Sequence, residues 1–295
     1  MSPFIQKLLA RAPNQDDLST SRGGSGDELI IENSNSVLPA GWSVGTALSV
    51  GQQRLTNQDT LFTTCSELHY DNKRYFCGFF IVADGMGGHQ NGELASEAAA
   101  RAMGEWVMEQ LYLPNLRGEP PVKPEDLLEL MAQGISQANQ AVQKSASGGG
   151  TTLSSTLIYG DQIYVAHVGD SRIYYIDPSG SIETLSHDHS YVQQLVDMGH
   201  ITPAEALVHP QRNVLYQALG QIEPLEPEIA AYDMPNSGHL LLCSDGLWGV
   251  VPDGLIADIV HNAASPQAGC QELIDAANEA GGPDNITAVL VNLPG

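Results

Sequence analysis

Basic residues are scarce in this chain. Twelve lysines and arginines face thirty-five aspartates and glutamates, for a formal net charge of -23. A nucleic-acid binder needs a basic patch, and so few cations leave little material for one, so no nucleic-acid partner is expected. Cysteine is scarce too. Cys65, Cys77, Cys243 and Cys270 form no CxxC pair and no zinc-finger spacing. Cys77 and Cys243 lie in apolar runs, where a reduced buried thiol is ordinary. No apolar run approaches the length of a membrane span, so no stable membrane insertion is expected. The opening "MSPFIQKLLARAPNQDD" lacks a secretory h-region and a small-residue cleavage site. Together these absences point to the cytoplasm. No coiled-coil seam stands out, and a monomer is expected. What is plentiful is apolar side chain, 42% of the chain, enough for a sizeable core.

Residues 1–40 are rich in Ser, Asn, Asp and Gly and read as a flexible N-terminal extension. A single compact domain is expected over 41–295. Its strand-like runs are "WSVGTALSV", "TLFTTCSE", "YFCGFFIVA", "TTLSSTLIYG", "QIYVAHVG", "SRIYYID", "HLLLCS" and "ITAVLVNL". Apolar residues recur at helix period over Glu93–Leu111 and Glu125–Lys144. Ser265-Pro266 is an N-cap followed by proline, and opens a helix over Gln267–Ala280. Strict βαβ alternation is absent, and the short connections read as hairpins. The nearly continuous apolar strands need cover on both faces. An α+β fold follows: two antiparallel sheets packed together, with helices outside each.

Five strands carry an aspartate at one margin. "FFIVA" ends at Asp84-Gly85, "IYVAHVG" at Asp170 and "HLLLCS" at Asp245, while Asp59 and Asp284 stand just before strands. One such aspartate is usually a turn residue. Five converging on one rim would repel one another and resist desolvation, and hard divalent cations relieve that repulsion. Oxygen-only ligands select magnesium, manganese or calcium over zinc. Glycine after Asp84 lets the chain turn and its carbonyl approach a cation. Arg54, five residues before Asp59, is placed to grip phosphate oxygens; a surface ion pair is the alternative reading. A calcium-stabilised β protein without chemistry fits the aspartates as well, though Arg54 argues against it.

The motifs "RLTNQD", "VADGMGGHQNGELAS", "AHVGDSRIY", "LLLCSDGLWGVV" and "GGPDNITAVLV" occur in that order. Over residues 41–295 the chain resembles the metal-dependent serine/threonine protein phosphatases of type 2C (the PPM family), in their bacterial form. The resemblance implies a Mn²⁺- or Mg²⁺-dependent hydrolase acting on phosphoserine and phosphothreonine in phosphorylated protein substrates. Its water would bridge two central ions and attack phosphorus directly. Asp59, Asp84, Asp245 and Asp284 match the family's metal ligands, with Asp84 bridging and the Gly85 carbonyl contributing. Asp170 matches a ligand of a third, weaker site that would share Asp245. Arg54 matches the phosphate-binding arginine, and Asn285 the residue that supports its loop. A catalytically weak scaffold or sensor of the same fold is the alternative.

The departures bear on catalysis. Met86 stands where many members have a histidine proposed as general acid, and it cannot donate a proton. His89 and a metal-bound water are the candidate substitutes, and a helix-entry role for His89 is equally open. Gln58 stands where many members have glutamate, and Gly249 replaces a frequent aspartate after Trp248, which would weaken the third site. Residues 186–220 match the family's flap, expected to shape substrate choice. Histidines 187, 189, 200 and 209 fall within it, and loop and cap roles fit them better than a metal cluster.

Overall fold

The computed structural model describes residues 41–70, 73–87, 91–119, 122–221 and 224–294. Residues 1–40 and His89, the tentative acid, lie outside that set. The chain runs Ser43–Ser49 (β1), Asp59–Tyr70 (β2), Lys73–Met86 (β3), Asn91–Val107 (α1), Pro124–Ser145 (α2), Gly150–Thr151 (β4), Leu153–Tyr159 (β5), Gln162–Val168 (β6), Arg172–Ile176 (β7) and Ile182–Thr184 (β8). It continues Tyr191–Asp197 (α3), Pro203–Leu207 (α4), Glu228–Asp233 (β9), Gly238–Cys243 (β10), Asp245–Trp248 (α5), Asp253–Asn262 (α6), Pro266–Glu279 (α7) and Ile286–Leu293 (β11).

Strands order as β1-β11-β10-β7-β8 in one sheet and β2-β3-β5-β6-β9 in the other, with β4 paired to β3. The pairings are antiparallel. Side chains alternate across a strand, so an apolar run can serve two cores at once. Phe80, Val82, Leu240, Leu242 and Val289 fill the space between the sheets. Phe79 and Ile81 turn the other way, onto Met103, Leu127 and Met131 of α1 and α2. Leu241 and Cys243 likewise turn outward, onto Ile256 of α6 and Leu273 of α7. The result is the expected layering of helices, sheet, sheet and helices.

Three local details differ from the sequence reading. Strand β3 does not stop at Asp84. Gly85 and Met86 continue it by pairing with Thr151 and Gly150, and the Gly85 N–H donates to the Gln58 carbonyl at 3.0 Å. The first long helix leaves α-geometry at Met108, where Met108–Tyr112 form a π turn. Pro114 follows; its ring would clash with the carbonyl four residues back in a regular helix. Strand β9 and helix α6 carry no expectation from the sequence, whereas β8 is the second arm of the hairpin expected over "IYYIDPSGSIETL".

The segment 186–220 folds back on itself beside the sandwich. Ser190 caps α3 by accepting from the Gln193 N–H. Thr202 and Glu205 form a capping box on α4. Its histidines act locally: His187 Nε2 meets Asp197 at 2.9 Å, His189 Nδ1 accepts from the Gly169 N–H, and His209 Nδ1 accepts from the Gln211 N–H.

Candidate active site

Strand register sets the first half of the site. Asp59 at the start of β2 lies directly opposite Asp84 on β3. Opposed residues of an antiparallel pair point to the same face, so both carboxylates share one side. Asp59 is buried. Its Oδ2 accepts from Ser244 Oγ at 2.8 Å and Thr287 Oγ1 at 2.7 Å. Its Oδ1 is equally buried and accepts nothing from the described residues. Burial pushes the Asp59 carboxyl up to about 7, against the pull of those two hydroxyls. Asp84 is held by its backbone. Its N–H donates to Thr152 Oγ1, and its carbonyl accepts from the Thr152 N–H and from Thr151 Oγ1. Burial first, then the charge of Asp59, raises its carboxyl well above the usual range. Gly85 has no room for a side chain: an added Cβ would collide with the carbonyl oxygens of Gly92 and Gln58.

The other sheet brings the second half. Asp245 opens α5 directly after β10, and Asp284 stands two residues before β11. Asp245 Oδ1 is buried with no hydrogen-bond partner among the described residues. Burial, then repulsion from Asp284, raises that carboxyl to about 6. Asp284 Oδ1 accepts from the Asn285 N–H, and its Oδ2 takes a 2.6 Å contact from Arg54 Nη2. Asn285 secures the loop that carries Arg54. Its Oδ1 accepts from the Gln58 N–H, and its Nδ2 donates to the carbonyls of Val50 and Thr56. The chain crosses from one sheet to the other between β6 and β7, and Asp170 lies in that crossing. Burial, then Asp245, raises its carboxyl too. Its backbone carbonyl accepts from Trp248 Nε1 at 2.9 Å.

Arg54, Asp170, Asp245 and Asp284 therefore line one cleft of about 540 Å³, roofed by the segment 186–220. Among the described residues, no three His, Cys, Asp or Glu side chains are drawn into a closed metal cluster. The donor set nevertheless fits a hard cation. It is all oxygen, it is buried, and two of its carboxylate oxygens lack a hydrogen-bond donor among the described residues. Sequence reasoning did not find Ser244, Thr287 or Thr152, the hydroxyls that hold Asp59 and Asp84. The only signal was the nearness of Ser244 and Thr287 in sequence to Asp245 and Asp284, and of Thr152 to the end of β4, and hydroxyl residues are too common for that to select them.

Known proteins share this arrangement of the chain. A family model described as protein phosphatase 2C matches residues 49–290. The protein phosphatase PhpP of Streptococcus pneumoniae is 38% identical over 245 residues, spanning 83% of this chain and 94% of its own. The crystal structure of the Mycobacterium tuberculosis serine/threonine phosphatase PstP/Ppp aligns with a TM-score of 0.72 at 30% identity, covering 86% of this chain and 99% of that one. A catalytic domain of the serine/threonine protein phosphatase PstP, solved in complex with 2 manganese ions, aligns with a TM-score of 0.69 at 28% identity, covering 85% and 97%. The matches run through both sheets and every aspartate of the cleft, and the chain belongs to the protein phosphatase 2C family.

Proposed function

We propose that this phosphoprotein phosphatase hydrolyses phosphoserine and phosphothreonine side chains with Mn²⁺ or Mg²⁺ held by Asp59, Asp84, the Gly85 carbonyl, Asp245 and Asp284. A third, weaker site falls to Asp170 together with Asp245. Metal bound by these residues would supply the Lewis acidity that makes a water nucleophilic near neutral pH. The observation that carries this reading is the buried, unpartnered Oδ1 of Asp245 in one cleft with Arg54, with a second such oxygen on Asp59, whose carboxyl feels the charges of Asp245 and Asp284. The relatives named as serine/threonine phosphatases support the substrate class.

The chain's own residues have separable tasks. Ser244 and Thr287 both hold Oδ2 of Asp59, which leaves its buried Oδ1 as the free ligand atom. Asp84, fixed through its backbone by Thr151 and Thr152, would be among the residues that hold the metal. Arg54 is half exposed and holds Asp284 by one nitrogen, which leaves its fork free to take phosphate oxygens bidentately. The new P–O bond forms from water and the P–O bond to serine or threonine breaks, without a phosphoenzyme. The departing alkoxide takes a proton, for which His89 is the tentative donor and a water the rival. Residues 186–220 form a flap over the cleft. Four unpaired thiols suit a reducing cytoplasm, and the enzyme works as a monomer. No helix among the described residues is long and apolar enough to cross a membrane.

Turnover of p-nitrophenyl phosphate and of a phosphothreonine peptide, each with Mn²⁺, Mg²⁺ and EDTA, tests the reading. Metal-dependent hydrolysis is expected, and Asp84→Ala abolishes it and weakens Mn²⁺ binding. Folded protein without turnover under any metal would return the scaffold alternative. Asp170→Ala lowers turnover while the two central ions stay bound; loss of both ions would contradict the third site. His89→Ala decides the acid: an unchanged rate with a poor leaving group eliminates it.

A further inference from the structure

The cleft is larger than a phosphate needs. Its volume of about 540 Å³ lies in the range of pockets that take a drug-sized ligand. One wall carries the carboxylates. Another is built by the flap and by the turn after Asp245, and its surface is apolar: Val192 and Val196 from α3, Leu207 from α4, then Trp248, Val250 and Pro252.

Several polar groups around this wall are engaged with one another, while Arg212 and Asn213 line the same cleft beside them. Arg172 donates to both oxygens of the buried Asp188, at 2.8 Å to 3.2 Å. The same guanidinium lies 3.7 Å from the centre of the Trp248 ring and fixes that face of the wall. Asp253 accepts from the Tyr174 hydroxyl at 3.3 Å, and the Trp248 N–H is taken by the Asp170 carbonyl. A ligand reaching the patch formed by Val192, Val196, Leu207 and Trp248 meets hydrocarbon, with Arg212 and Asn213 elsewhere on the lining. Leu207 is 52% exposed, so part of that hydrocarbon is still uncovered.

We propose that this wall is a specificity subsite, which takes an apolar side chain of the phosphoprotein lying a few residues from the phosphoserine or phosphothreonine. The inference rests on the phosphatase reading above. The occupant is the substrate's own segment because the wall is continuous with the catalytic cleft, so anything else seated there would obstruct it. Charge argues the same way. The chain as a whole carries -23, so a strongly acidic substrate segment is disfavoured. Burying one extra apolar side chain in such a site changes kcat/KM by about tenfold or more.

The test is a phosphothreonine peptide set in which a single leucine walks through an alanine background on both sides of the phosphoresidue, with a glutamate walk beside it. Wild-type enzyme, Leu207→Ala and Val196→Ala are assayed with Mn²⁺, and p-nitrophenyl phosphate reports basic competence. The wild type is expected to favour leucine about tenfold over alanine at one or two positions, and to disfavour glutamate there. That leucine-to-alanine ratio is expected to fall to about twofold in each variant. Leu207 is half exposed, so its variant folds. A flat leucine walk overturns the subsite, as does a preference that both variants keep. No turnover of any peptide or of p-nitrophenyl phosphate defeats the phosphatase reading itself, which is a different result.

Discussion

Asp59 shows how single groups tune the cleft. Its carboxylate is buried, and two hydroxyls from the far end of the chain aim it. Such outer partners usually govern metal affinity by 10- to 100-fold, so Thr287→Val should weaken Mn²⁺ binding by about that factor in a calorimetric titration. Ser244→Ala should behave alike, while global stability changes far less. The raised carboxyls also fix a pH dependence. A carboxyl whose folded-state pKa exceeds its unfolded value contributes stability below the unfolded value, and that stability is lost as pH rises through the folded value. With Asp59 near 7 and Asp245 near 6, chelated protein should lose stability between about pH 4 and pH 7 from these groups. Urea unfolding with EDTA at pH 5.5 and 7.5 measures it. With Mn²⁺ present the difference should shrink, and calorimetry in buffers of different ionisation enthalpy should show proton release on binding.

Among elements, one buried ion pair ties the segment 186–220 to the sandwich. Arg172 on β7 grips Asp188, just before α3, and both are largely buried. Arg172→Met leaves a buried carboxylate without its cation, and breaking such a pair costs about 3 to 5 kcal/mol. Chemical denaturation should show a loss of that size, and limited proteolysis should cut within 186–220 sooner than in wild type. The elements also show what a sequence can disclose. "FFIVA" and "LLLC" announced two-sided burial because their residues alternate between two cores. Glu125–Lys144 was legible from its apolar stripe, and α2 occupies nearly the same span. Helix α6, "DGLIADIVHN", was not, because Ile and Val crowd its buried face and blur a helical period into a strand-like one. Helices α3 and α4 are too short, at 7 and 5 residues, to show a period at all. Strand β9 is an edge strand with no fully buried residue, so its pattern is weak.

At the scale of the molecule, the five aspartates were legible because each sits where a strand meets a loop, and strand ends gather on one rim. The hydroxyls that orient them were not, since Ser244 and Thr287 touch Asp59 across 185 and 228 residues of chain. Net charge acts at this scale too. A molecule carrying -23 repels itself, and salt screens that repulsion over about 10 Å at 0.1 M. Without metal, the midpoint of thermal unfolding should rise by a few degrees as NaCl goes from about 0.02 M to about 0.5 M. A flat response would show that the surface charges are already balanced locally.

The hydrogen bonds from Ser244 and Thr287 to Asp59 also set an order of events in refolding. Hairpins such as β5–β6 close in microseconds, whereas contacts across 185 and 228 residues wait for the largest loops to close. The β2–β3 hairpin brings Asp59 opposite Asp84 early, but until the long loops close that pair stays apart from Asp245 and Asp284. The capacity to bind Mn²⁺ should therefore return after most of the β signal, as a late kinetic phase. An ion arriving at that point acts as a latch on a sandwich that has already closed, and slows its reopening.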